Sequence, residues 1–210
     1  MGILVKKHVD DDCLMGLWEI EENFETLYRK VFLDVDEKVT LFDFKNEARQ
    51  IEWLSVRALL NELLQRNSKI IYNEEHKPFL FDNSFNISIS HSYKLTSILL
   101  SKQKRVGIDL EYMSHRINRI SHKFINEEEY ISSNKAVEHL HMYIHWCAKE
   151  AIYKICDKKN INFKDNLTIK PFEIELAGQI TGIHHDENIH DEFTLKYEVR
   201  DNYVIVFCCQ

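Results

Sequence analysis

The segment VGIDLE at residues 106–111 constrains the fold most. Val106, Ile108 and Leu110 alternate with Gly107, Asp109 and Glu111, a period of two that defines a strand with one apolar face. Asp109 and Glu111 then project from the opposite face, where both can reach one cation. Gly107 shares that face and is expected to leave room for a ligand. A second segment, WCAKEAIYK at 146–154, has helical spacing: Trp146, Glu150 and Lys154 recur every fourth residue and share one stripe. A strand with two acids and a helix with a third make an oxygen-rich site of the kind that suits Mg²⁺, which binds a few carboxylates, water and substrate phosphates. Each pattern alone also fits a solvated strand face or a surface ion pair; the functional reading depends on their conjunction with a third element.

That element is HKPFLFDNSFNISISHS at 76–92. Ile87 and Ile89 alternate with Ser88 and Ser90, so a strand is expected to end in His91-Ser92, with a histidine placed to donate to a phosphate oxygen. Lys77 precedes Pro78 in an expected turn. For this histidine alone, a buried strand with a capping side chain is the favoured account.

The ordered set K-P, FNISISHS, VGIDLE and WCAKEAIYK resembles the motifs of the 4′-phosphopantetheinyl transferases, in particular the longer, surfactin-synthetase-activating type. The resemblance runs from about residue 45 to 155. Two departures stand out: His76 replaces the glycine of the family's G-K-P, and FNISISHS carries an extra Ile-Ser. The resemblance implies an α+β fold of two similar α/β subdomains related by a pseudo-twofold, with the active site at their junction. It implies transfer of the 4′-phosphopantetheine arm of coenzyme A to a serine of an acyl, peptidyl or aryl carrier protein, with release of 3′,5′-ADP. On this view Asp109, Glu111 and Glu150 hold Mg²⁺, Glu150 or a water takes the serine proton, and Lys154 meets the pyrophosphate or relays the proton. Lys77, His91 and Ser92 match positions that contact coenzyme A, and Arg49 and Arg57 are expected at its 3′-phosphate, since a guanidinium fork suits phosphate. A monomer is implied. The alternatives are a silent relative that binds coenzyme A or a carrier protein, and an unrelated Mg²⁺-dependent phosphohydrolase.

Composition narrows the partners. A net charge of −7 argues against a general nucleic-acid binder, so an anionic partner must meet a local basic patch. His115, Arg116, Arg119, His122 and Lys123 are one candidate, on a short helix whose inner face is Ile117, Ile120 and Phe124; a plain solvated helix accounts for them equally well. No apolar run approaches the ~18 residues a membrane span needs, and the N-terminus lacks a signal-peptide layout; the expected location is the cytoplasm. The five cysteines are odd in number and form no C-x-x-C, which fits reduced, packed thiols.

Along the chain, strands are expected at 3–9, 38–44, 69–73, 85–90 and 95–101, with helices at 17–31 and 46–66. The helix at 46–66 has Trp53, Val56, Leu60 and Leu64 as its apolar stripe. The polar run SKQKR at 101–105 marks a boundary between halves, giving domains 1–103 and 104–210. The second half reads as the VGIDLE strand, the short basic helix, a turn near 126–130, a long helix at 135–157, a loop, and strands at 167–176, 179–184, 192–199 and 202–208. His139, His141 and His145 lie on the long helix without an H-E-x-x-H pattern and are expected to pack or face solvent. His184, His185 and His190 are expected in a loop, Asp10–Asp12 in a solvated turn, and Trp146 as an anchor of its helix.

Overall fold

The computed structural model describes residues 2–114, 116–156, 161–186 and 189–210. The chain divides into two compact units, Met1–Lys104 and Arg105–Gln210. Helix and antiparallel strand each make up about a third of the chain, 33% and 36%, so the class is α+β.

Unit 1 contains a four-stranded antiparallel sheet in the order β1-β2-β6-β5, formed by β1 (Ile3–Asp10), β2 (Cys13–Glu19), β5 (Asn86–Ser92) and β6 (Leu95–Ser101). A two-stranded ribbon joins β3 (Ile70–Tyr72) to β4 (Pro78–Leu80). Three helices intervene: α1 (Phe24–Lys30), α2 (Val35–Asp43) and α3 (Glu47–Leu64). Helix α3 packs its Trp53, Leu54, Val56, Leu59, Leu60 and Leu63 into the core with Trp18, Ile98 and Leu100 of the sheet. Gly16 permits this closeness: a Cβ there would lie 2.8 Å from a Leu63 methyl and 2.9 Å from one of Leu59.

Two expectations fail here. The helix expected over 17–31 begins at Phe24, because residues 13–19 form a central strand flanked on both edges by β1 and β6. A strand covered on both faces is apolar at nearly every position, here CLMGLW, and such a run cannot be told from helix by period alone. The strand expected over 38–44 is helix α2. Its N-terminus is set by a capping box: the Asp34 carboxylate accepts from the Glu37 N–H, and the Glu37 side chain accepts from the Asp34 N–H. That D-V-D-E signal stands in the sequence and outweighs the local alternation.

Unit 2 is built on a five-stranded antiparallel sheet in the order β7-β11-β10-β9-β8: β7 (Val106–Tyr112), β8 (Leu167–Ile169), β9 (Ala177–Asp186), β10 (Ile189–Arg200) and β11 (Tyr203–Cys209). The unit also holds α4 (Ile117–Ile120), α5 (Lys135–Ile155) and α6 (Phe163–Asn166). Pro171 cannot donate to a ladder, and the strand expected over 167–176 stops at Ile169. His184, His185 and His190 lie in β9 and β10 rather than in a loop. The basic segment is a short helix followed by a 3₁₀ turn, Ser121–Lys123. Ile117 and Phe124 are buried, and Arg116, Arg119, His122 and Lys123 are exposed; His115 lies outside the described residues. Asp12 is tied rather than solvated: its carboxylate accepts from the Ser101 hydroxyl and the Gln103 N–H. All five cysteines are free thiols.

Helix α5 carries Glu150 and Lys154. It starts at Asn134, whose side chain accepts from the Ala136 N–H, and runs 21 residues without Gly or Pro. Ile144, Ala148, Ala151, Ile152 and Ile155 bury one face in the unit 2 core. Trp146 packs against Phe124 and Phe163 and anchors the helix as expected.

His141 and His145 are fully buried on α5, so they pack and do not face solvent. The Ser132 N–H donates to His141 Nδ1, and His145 Nδ1 donates to the His141 carbonyl. His141 is therefore a neutral ring with its hydrogen on Nε2, and His145 carries a hydrogen on Nδ1. Burial pushes His145 down to about 3, with the neighbouring His141 and Lys149 adding to the fall. Burial also lowers His141, opposed by Glu173. Both folded values lie below the unfolded value of about 6.5. Above that pH the pair contributes no pH dependence. Below it the unfolded chain takes up protons that the folded one refuses, so stability falls with acidification down toward pH 3 for His145. His145→Phe is expected to remove roughly 1.4 kcal/mol of acid destabilisation per pH unit below 6.5. Urea titrations at pH 7 and pH 5 measure this, and parallel losses in both proteins would refute the assignment.

Candidate active site

In unit 2, β7 and α5 face each other, and Gly107 decides how closely. A Cβ at residue 107 would lie 2.1 Å from the Ala151 carbonyl oxygen. The glycine thus admits helix backbone, not the ligand expected of it. The close approach sets Asp109 opposite the last turns of α5. Lys154 Nζ donates to Asp109 Oδ1 at 2.7 Å and to the Ile108 carbonyl at 3.0 Å. Asp109 is buried, and Glu111 and Glu150 are half-buried. Burial, and next the Asp109 charge, push Glu150 up to about 7, against the pull of Lys154; Glu111 adds a smaller push. Three carboxylates therefore crowd one lysine. Cys147 is buried on α5 with its thiol toward the Val204 carbonyl; burial, and next the charges of Asp109 and Glu111, raise that thiol well above its ordinary value.

The spacing of 109, 111 and 150 leads one to expect a shared ion. The structure brings these residues onto facing elements within electrostatic reach of one another. Among the described residues, however, no three His, Cys, Asp or Glu side chains are disposed to hold a metal as they stand. The donor set nonetheless suits a hard divalent cation: the ligands are carboxylate oxygens in excess of positive charge, and an ammonium already serves as cation to one of them.

Next to Glu150, Lys149 turns the other way, into the core. Its Nζ, fully buried, donates to the Phe124 carbonyl, to Glu129 Oε2 at 2.7 Å and to the Phe163 carbonyl at 3.0 Å. Glu129 in turn accepts from the Asn126 and Ile169 N–H groups. Sequence inspection missed this pair, because nothing in NEEEY distinguishes Glu129 from its two neighbours.

In unit 1 a depression of about 430 Å³ has a mixed lining that includes Ile20 and Ile51 beside Glu22, Arg49, Glu52 and Lys94. Its size lies in the range of small-molecule sites. His91 Nε2 lies 3.0 Å from Arg49 Nη1 and 3.1 Å from Glu52 Oε1, and Arg49 is itself paired with Glu52. Arg49 and His91, two of the residues expected at coenzyme A, thus stand together, and Ser92 follows His91 at the end of β5. Tyr93 and Lys94 form the tight connection from β5 to β6; Tyr93 has a φ of 55°, and no Gly or Asn marks the turn in the sequence.

Arg57 requires a correction. It is buried in unit 1, its Nε donates to Glu37 Oε1 at 3.0 Å, and its guanidinium stacks on Trp53. Its charge and its hydrogen bonds serve the core, so it does not present a fork to a phosphate. Lys77 stands on a separate element. Its N–H donates to Asn73 Oδ1 in the turn before β4, and its ammonium lies over the Phe79 ring. His76, in the place of the motif glycine, has a φ of 60°. The left-handed backbone explains why glycine suits this position. His76→Gly is expected to stabilise unit 1 by about 0.5–1 kcal/mol; a lower melting temperature in the variant would contradict this.

Residues 105–208 match the model of the 4′-phosphopantetheinyl transferase superfamily. The chain is 30% identical to the 4′-phosphopantetheinyl transferase gsp of Aneurinibacillus migulanus over 159 residues, 64% of this chain and 66% of that one. It is 38% identical to the 4′-phosphopantetheinyl transferase AcpT of Escherichia coli O157:H7 over 71 residues, 33% of this chain and 36% of that one, with the same coverage and identity for AcpT of strain K12. The matches span from about a third to just under two thirds of the length of these curated relatives. The chain belongs to the 4′-phosphopantetheinyl transferase superfamily. Among the described residues no helix is long and apolar enough to cross a membrane.

Proposed function

We propose that this protein is an enzyme that transfers the 4′-phosphopantetheine arm of coenzyme A to a serine of a carrier protein, with Mg²⁺ as cofactor and 3′,5′-ADP as the second product. The observation that carries the reading is the cluster of Asp109, Glu111, Glu150 and Lys154, set on two facing elements within the region that matches the family. The serine oxygen attacks the β-phosphorus, and the bond from that phosphorus to the ADP oxygen breaks. Such transfer depends mainly on positioning and on charge neutralisation. Asp109, Glu111 and Glu150 would hold the ion, which when bound offsets charge on the pyrophosphate oxygens. Glu150, or a water, would receive the serine proton. Lys154 brings positive charge to the pyrophosphate. In unit 1, Arg49, His91, Ser92 and Lys77 would serve the phosphates of coenzyme A, with Arg49 and the depression it lines the best candidates for the nucleotide end.

The test is direct. An apo carrier protein incubated with this chain, coenzyme A and Mg²⁺ is expected to gain the mass of one phosphopantetheine arm, with one ADP released per arm. Release of ADP without an acceptor would favour a hydrolase instead. Binding of coenzyme A without transfer to any carrier of the host would favour a silent binding module.

A further inference from the structure

We propose that Lys154 is a built-in competitor of the metal: in the resting protein its ammonium takes the cation's place on Asp109, and the phosphates of the nucleotide substrate must draw it away before the carboxylates can close on an ion. The inference rests on the function proposed above and assigns a mode of regulation to the same site.

Three observations carry it. Lys154 Nζ lies 2.7 Å from Asp109 Oδ1 and 3.0 Å from the Ile108 carbonyl, so the ammonium is seated between two oxygen donors as a small cation would be. The Asp109 side chain is 6% exposed and that of Lys154 25%, so the lysine has the readier access to solvent. No three acidic or other ligating side chains among the described residues converge on a common point, although Asp109 and Glu111 both act on Glu150. The site is therefore neutralised in part and left open. Lys154 also sits in the last turn of α5, where the helix carbonyls favour a positive charge. A lysine head on four methylenes can leave this position without backbone movement. It leaves at least cost when another anion receives it, and a pyrophosphate is such an anion. Substrate would then promote metal binding by removing a competitor, in addition to any ligand it contributes. Metal would promote substrate binding by the same factor.

The experiment uses Mn²⁺, whose free fraction is read by electron paramagnetic resonance, on protein stripped with EDTA and assayed without coenzyme A. Lys154→Met is expected to bind Mn²⁺ roughly tenfold tighter or more than wild type, since a competing charge at contact distance is gone. Lys154→Arg, which keeps the charge, is expected to show no gain. Saturating coenzyme A is expected to tighten Mn²⁺ binding more in wild type than in Lys154→Met. The side chain is partly exposed and removes no core atoms, so both variants are expected to fold; Lys154→Gln replaces Lys154→Met if melting shows otherwise. Equal or weaker Mn²⁺ binding by the neutral variants, or no binding by any form, would overturn the proposal. Failure of wild type to modify a carrier would instead overturn the functional reading, and the titration without coenzyme A stands independently of that result.

Discussion

Asp109→Ala is expected to lower the rate of carrier modification by roughly three orders of magnitude, about 4 kcal/mol of transition-state stabilisation. The melting temperature is expected to hold or rise. The two effects separate because Asp109 is a poor contributor to stability. It is a buried carboxylate close to two others, and its charge helps to drive Glu150 up to about 7. Its removal relieves that repulsion, while Lys154 retains the Ile108 carbonyl and access to solvent. Asp109→Asn keeps the shape and removes only the charge, so an equal loss of rate in both variants assigns the effect to charge. Mass spectrometry of the carrier gives the rate and a thermal melt gives the stability. Turnover like wild type in either variant would take Asp109 out of the mechanism, and a fall of many degrees in the melt would mean that the carboxylate is structural.

The elements that carry the candidate site were legible in the sequence because they obey one period each. VGIDLE alternates and is strand β7; the stripe of Trp146, Glu150 and Lys154 is helical and lies on α5. The boundaries of α3 and α5 could also be read, since asparagine caps both N-termini and the interiors lack breakers. What failed has physical causes. A strand buried on both faces, residues 13–19, hides its period, and the strand expected over 38–44 took no account of the capping box at Asp34, which starts a helix there. Gly107 was assigned to a ligand because sequence shows the missing side chain but not what fills the space, which is the Ala151 carbonyl. Arg57 looked like a phosphate ligand because a cation two turns from Arg49 carries no mark of burial; its partner Glu37 is twenty residues away on another helix. The contact between Lys154 and Asp109 joins residues forty-five positions apart and could not be read from either motif alone.

Lys149→Met is expected to destabilise unit 2 by about 3–5 kcal/mol, because it leaves the Glu129 carboxylate buried without its cation. Both side chains of this pair are 0% exposed, and all three ammonium hydrogens have acceptors. Glu129→Leu alone is expected to cost a similar amount by stranding the lysine. The double variant Lys149→Met/Glu129→Leu is expected to recover most of the loss, since an apolar pair of similar volume needs no desolvation of charge. Recovery falls short by roughly 1–3 kcal/mol, because the Asn126 and Ile169 N–H groups lose the carboxylate oxygens that accept from them. Urea unfolding of the four proteins closes a double-mutant cycle, whose interaction energy should be well outside the ~0.5 kcal/mol expected of independent sites. A loss below 1 kcal/mol in Lys149→Met would show that the pair is not tightly held. The same four proteins report on geometry. Lys149 ties α5 to Phe124, Glu129 and Phe163 one residue before Glu150, so a double variant that regains stability but not transfer would mean that the ionic knot fixes how the helix presents Glu150 and Lys154.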